Sequence, residues 1–198
     1  MYPNRDEALK ELNIANEMNP GGWADHCFHV GEAAKIIARH AGLDAEKAFV
    51  CGLMHDIGRR EGVMKMRHII EGYNFCISKG WDEVARICLT HSYPVKDIRK
   101  DIAPVDITEE QYTFVDKYLN DTEYDDYDKL IILCDALAVA NGFCTLNLRF
   151  VDTTRRYGMF PFTLERWEKT IEYKEYFEKK IGQPIYKLLP GIEESVYW

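Results

Sequence analysis

The stretch 125–140 limits most severely how this chain can fold. Leu130, Ile131, Ile132, Leu133, Cys134, Ala136, Leu137, Val139 and Ala140 leave it almost no polar face. A helix that is apolar all round has to be covered on every side, so other elements must surround it. The rest of the chain supplies them as helices. Leu9, Leu12, Ile14 and Met18 mark a helix over 5–18 that Asn19-Pro20-Gly21-Gly22 stops. Cys27, Val30, Ala33, Ala34, Ile37 and Ala41 recur at helical spacing over 23–41 before Gly42. Asp44 caps a third helix whose small residues Ala45, Ala48 and Gly52 suit close packing and which ends at His55-Asp56. Gly58 and Gly62 bracket a tight basic loop holding Arg59 and Arg60, and His68 opens a helix running to Gly80. Further helices are expected over 81–91, from Thr108 to Asn120, over 145–157 and over 163–181, with 95–107 as a loop and candidate lid. No strand run stands out, so the expected architecture is all-α, one bundle over residues 1–198.

A chain of 198 residues suits one well-packed domain. The net charge of −8 disfavours a broad surface for nucleic acid or an anionic membrane, while leaving room for one small anionic substrate. Cys27, Cys51, Cys76, Cys88, Cys134 and Cys144 stand singly in apolar contexts, which speaks for core thiols in a reducing compartment rather than a disulfide framework. The polar N-terminal residues do not read as a signal peptide, and the expected location is cytoplasmic. A homodimer stays open.

Asp135 interrupts the apolar helix, and an unpaired charge there costs several kcal/mol. It is therefore paired, bound to a metal, or turned to a polar cavity. His55 and Asp56 are adjacent, so on a helix they point about 100° apart and do not chelate one ion from one face. An aspartate has two carboxylate oxygens, however, and can bridge two ions. His26 lies one helix upstream, and His68 and His91 sit at later helix ends. Each alone has a plainer reading as a hydrogen-bonded or solvent-facing residue; the joint pattern is what points to a metal centre. His29, one turn from His26, reads as a packed, hydrogen-bonded histidine, and His40 as a cation near a helix end.

His26-Cys27-Phe28-His29-Val30, the run Ala48 to Gly58 around His55-Asp56, and Ile132-Leu133-Cys134-Asp135-Ala136-Leu137 resemble, in order and character, the three motifs of the HD superfamily of metal-dependent phosphohydrolases. The resemblance covers about 23–157, with the C-terminal helices packed on that core. It implies a helical bundle around a metal site. It also implies two divalent ions (Fe, Mn, Co or Zn), one held by His26, His55, Asp56 and Asp135, the other by Asp56, His68 and His91. The ligand set is similar to that of the branch cleaving diadenosine tetraphosphate symmetrically. The implied reaction is hydrolysis of a phosphoester or phosphoanhydride in a nucleotide or related small phosphorylated metabolite by metal-activated water, with His55, Asp56 and Arg59 catalytic. Arg59 stands where the family often has lysine, and it, Arg60 and Arg155 are the expected phosphate-binding residues. A di-iron oxygenase of the same superfamily, or a catalytically silent metal- or nucleotide-binding module, is the alternative.

Overall fold

In the computed structural model, which describes residues 1–197, the apolar stretch is helix α7 (Asp126–Ala136), and the other α-helices are α1 (Arg5–Met18), α2 (Trp23–Ala41), α3 (Ala45–Met54), α4 (His68–Ser78), α5 (Asp82–Thr90), α6 (Glu109–Asp121), α8 (Leu146–Tyr157) and α9 (Thr163–Ile181). α7 packs on α2, α3, α5, α8 and α9, and Leu130, Ile131, Ile132, Leu133 and Cys134 are buried. The all-α expectation holds, with one local correction. α7 ends at Ala136, and β1 (Ala138–Val139) pairs antiparallel with β2 (Gly142–Phe143), Ala138 opposite Phe143 and Val139 opposite Gly142. Gly142, at φ +143°, takes a backbone geometry that side chains disfavour and turns the chain back.

The close packing expected of α3 is used against α2. A Cβ on Gly52 would lie 2.8 Å from Gly31 Cα and 2.9 Å from Gly31 N, so the two helices touch backbone to backbone. That contact fixes His26, near the start of α2, relative to His55 at the end of α3. Asp44 caps α3 as expected, its Oδ1 accepting from Glu46 N at 2.9 Å and Lys47 N at 3.0 Å.

A buried pair ties α5 to α7. Arg86 Nε donates to Asp128 Oδ1 at 3.1 Å and Oδ2 at 3.0 Å, and Thr90 Oγ1 donates to Oδ1 at 2.8 Å. Asp128 is fully buried, whereas the Arg86 side chain is 30% exposed. Asp128→Ala strands Arg86 and Thr90, and solvent around Arg86 moderates the loss to about 2–3 kcal/mol, below that for a sealed pair. Urea unfolding checks this, with an unchanged midpoint as the contrary result. Because α5 ends at His91 and α7 carries Asp135, the pair also braces the site.

The loop at 95–107 is a fastened wall rather than a free lid. Ile98 is buried, Tyr173 Oη donates to Pro94 O at 3.0 Å, and Arg166 Nη1 donates to Lys100 O at 2.7 Å. At its far end Asp106 accepts from Lys65 N and Arg67 N, both at 2.7 Å. Among the described residues no helix is long and apolar enough to cross a membrane.

Candidate metal centre

The helix ends converge. His26 comes from α2, His55 and Asp56 from the end of α3, His68 from the start of α4, His91 from the end of α5 and Asp135 from the last turn of α7. Among the described residues three groups of ligand atoms are drawn together within 4.8 Å, and two of them hold only His and Asp: His26, His55 and Asp135, and Asp56, His68 and His91. The His55 and His91 rings, whose centroids are 4.8 Å apart, join the groups.

The main chain aims three of the imidazoles. His55 Nδ1 lies 2.7 Å from Gly52 O, His68 Nδ1 2.5 Å from Lys65 O, and His91 Nδ1 3.1 Å from both Ile87 O and Cys88 O. Carbonyls only accept, so each Nδ1 carries its proton, and Nε2 is the ring atom turned to the centre and available to ligate. Burial drives the His55 pKa down to about 3, which keeps it neutral and able to ligate at ordinary pH. Burial acts the same way on His91, but the Asp56 carboxylate more than offsets it and the net shift is upward.

Asp56 sits between the groups. Its Oδ2 is 3.8 Å from His55 Nε2 and accepts from Arg59 Nε at 2.5 Å; its Oδ1 is 3.1 Å from His68 Nε2 and 3.5 Å from His91 Nε2. Despite those distances no N–H is directed at Oδ1, which is buried without a hydrogen-bond partner. Burial opposes its charge, yet Arg59, His68 and His55 outweigh it and hold the carboxyl well below the usual range. A sealed, ionised carboxylate oxygen facing imidazole Nε2 atoms is what a divalent cation satisfies, so the donors fit a metal. Cys27 lies within reach of His55 and Asp56, but burial and the Asp56 charge push its thiol far above the usual range, which disfavours thiolate ligation.

Asp135 is both paired and turned to a cavity, its side chain 28% exposed. Its Oδ1 faces His26 Nε2 at 2.9 Å and accepts from Arg149 Nη2 at 3.2 Å. Burial favours protonation there, but His26 and Arg149 prevail and the carboxyl is held strongly ionised. The cavity, about 490 Å³, is lined by His26, Asp56, Arg59, His68, His91 and Asp135 on one side and by α8 and α9 on the other.

A family model for the HD domain matches residues 23–140, more than half of the chain. The chain belongs to the HD domain family. No curated protein and no solved structure matches it. Membership brings a divalent-metal site and metal-dependent, phosphohydrolase-type chemistry in general terms. The HD match stops before α8 and α9, so the wall opposite the histidines lies outside the matched segment.

Two expected phosphate-binding residues lie elsewhere. Arg60 points away from the cavity, with its guanidinium 4.1 Å from the Phe75 ring centroid and Nη1 3.4 Å from Glu11 Oε2. Arg155 is exposed on α8 and does not line the cavity. Arg59 does line it. His29 and His40 bond carbonyls of their own helix, at Asp25 and Ile36. Sequence reasoning missed Arg166, which reaches the cavity from a helix rich in Glu and Lys, and Ser92, whose Oγ is 3.1 Å from His91 Nε2.

Proposed function

We propose that this HD protein hydrolyses a phosphoester or phosphoanhydride bond in a nucleotide or related small phosphorylated metabolite. In this reading His26, His55, Asp56 and Asp135 hold one divalent ion, and Asp56, His68 and His91 hold a second. The observation that supports it most is the division of Asp56, with Oδ2 towards His55 and Oδ1 towards His68 and His91. A carboxylate so placed serves both groups at once. Bound divalent ions lower the pKa of a coordinated water towards neutrality and neutralise phosphoryl oxygens.

The residues supply the remainder. Carbonyl-bonded Nδ1 atoms fix the imidazoles of His55, His68 and His91 before any substrate arrives, so no reorganisation is needed at reaction. Arg59 holds Asp56 and, 30% exposed at the cavity, presents its guanidinium to an incoming phosphate. About 490 Å³ falls within the usual size of small-molecule sites.

The test is elemental analysis after loading with Mn, Fe, Co or Zn, paired with phosphate release from a panel of nucleotides and sugar phosphates. Two ions per chain and turnover on part of the panel are expected, with His91→Ala losing one ion. A single ion in the wild type removes the roles given to His68 and His91. Two ions with no phosphate release, but O2 uptake on polyols or phosphonates, replaces hydrolysis by oxygenase chemistry.

A further inference from the structure

Arg59, Arg149, Arg156 and Arg166 line the cavity, and they are not equivalent. Arg59 pairs with Asp56, Arg149 with Asp135 and Arg156 with Asp152. Arg166 has no carboxylate within 4.0 Å among the described residues; Asp101, the acid that influences it most, lies beyond ion-pair distance. The side chain is half-buried, and burial lowers its pKa.

Two main-chain bonds hold this guanidinium in place. Nη1 donates to Lys100 O at 2.7 Å and Nη2 to Ser92 O at 3.0 Å. A guanidinium has five N–H groups, so these carbonyls orient it without exhausting it. Nε makes no protein hydrogen bond among the described residues and is not sealed off. Ser92 also places the group beside the metal centre, since its Oγ is 3.1 Å from His91 Nε2. A half-buried cation held only by neutral carbonyls carries an energetic cost that an anionic ligand reduces, and its planar fork matches phosphate oxygens.

We propose that Arg166 is the cavity's anion receptor, its remaining N–H groups binding the non-bridging oxygens of a substrate phosphate beside His91. This rests on the hydrolase reading for the identity of the anion, and it places the specificity-determining cation on α9, beyond the HD-matched segment.

The experiment is calorimetric titration of the metal-loaded full chain with inorganic phosphate, with metal content measured alongside. Arg166→Gln keeps a donor for the carbonyls but removes the charge, and is expected to weaken binding about 10- to 100-fold at unchanged metal content. Arg166→Lys, which retains charge without the fork and guards against misfolding of the first variant, is expected to weaken it roughly fivefold. Arg39→Gln, on an exposed turn of α2, leaves affinity unchanged. Wild-type affinity in a folded Arg166→Gln, or in Arg166→Lys, overturns the receptor. Binding is read without turnover, so a chain that holds phosphate through Arg166 yet cleaves no phosphoester refutes the reaction and upholds the receptor.

Discussion

Asp56→Ala is expected to lose bound metal and hydrolytic activity together, the rate falling by at least about a thousandfold, which corresponds to several kcal/mol of lost electrostatic stabilisation. The expectation follows from where the two oxygens lie. Oδ2 faces His55 and Oδ1 faces His68 and His91, so one truncation strips both groups of their shared donor. The same change has a different consequence for the metal-free fold. Oδ1 is buried without a partner, but the carboxylate as a whole is held ionised by Arg59 and the neighbouring histidines, so its removal costs the metal-free fold that pairing; Arg59, partly exposed, can turn to water and moderates the loss. The melting temperature of the metal-free protein should therefore fall by a few degrees, as for a partly exposed ion pair. The stabilisation that added metal confers on the wild type should vanish in the variant, because that gain scales with binding to the native state. Elemental analysis and melting with and without Mn separate these effects. A variant that keeps two ions and the wild-type rate removes Asp56 from the centre.

How far this site was legible in the sequence depends on what each residue's chemistry constrains. Histidines and aspartates at helix ends are few, and their joint order carried enough information to bring His26, His55, Asp56, His68, His91 and Asp135 to one place. Arginines are different, because their identity gives charge and reach but not direction. On α8, Arg149 and Arg156 are two turns apart and share the cavity face, while Arg155 lies about 100° round and meets solvent. Arg60 is drawn off by Glu11 and the Phe75 ring, partners distant in sequence. Arg166 looks in sequence like one more charge on a solvated helix, and only the carbonyls of Ser92 and Lys100 distinguish it. The fold follows the same division. Breakers mark the ends of α1 and α2, with Gly42 at φ +72° closing the latter. The end of α7 is obscured because Leu137, Ala138 and Val139 are as apolar as the helix they follow.

Gly58 shows a glycine whose purpose the sequence disguised, and its replacement should have the largest structural effect. Its place beside a turn suggests conformational freedom, but it lies in a short 3-10 helix (Ile57–Glu61) and is absent from the positive-φ residues. What it provides is proximity. A Cβ there would lie 2.0 Å from His68 O and 2.4 Å from Gly72 N, both main-chain atoms that no rotamer change can move aside. Gly58→Ala must therefore push α4 away as a unit, taking His68 Nε2 from its place 3.1 Å from Asp56 Oδ1. Overpacking against backbone is expected to cost about 3 kcal/mol or more and to lose the ion assigned to Asp56, His68 and His91. Gly42→Ala is the useful contrast. Its φ of +72° disfavours a side chain, yet nothing lies within 4 Å of the added Cβ, so the cost is about 1–2 kcal/mol of backbone strain with the metal centre intact. Denaturant unfolding with metal analysis on both variants separates close approach from conformational need. Equal losses of stability, or a Gly58→Ala protein that still holds two ions, would show that α4 can yield around His68 and that the contact does not set the site.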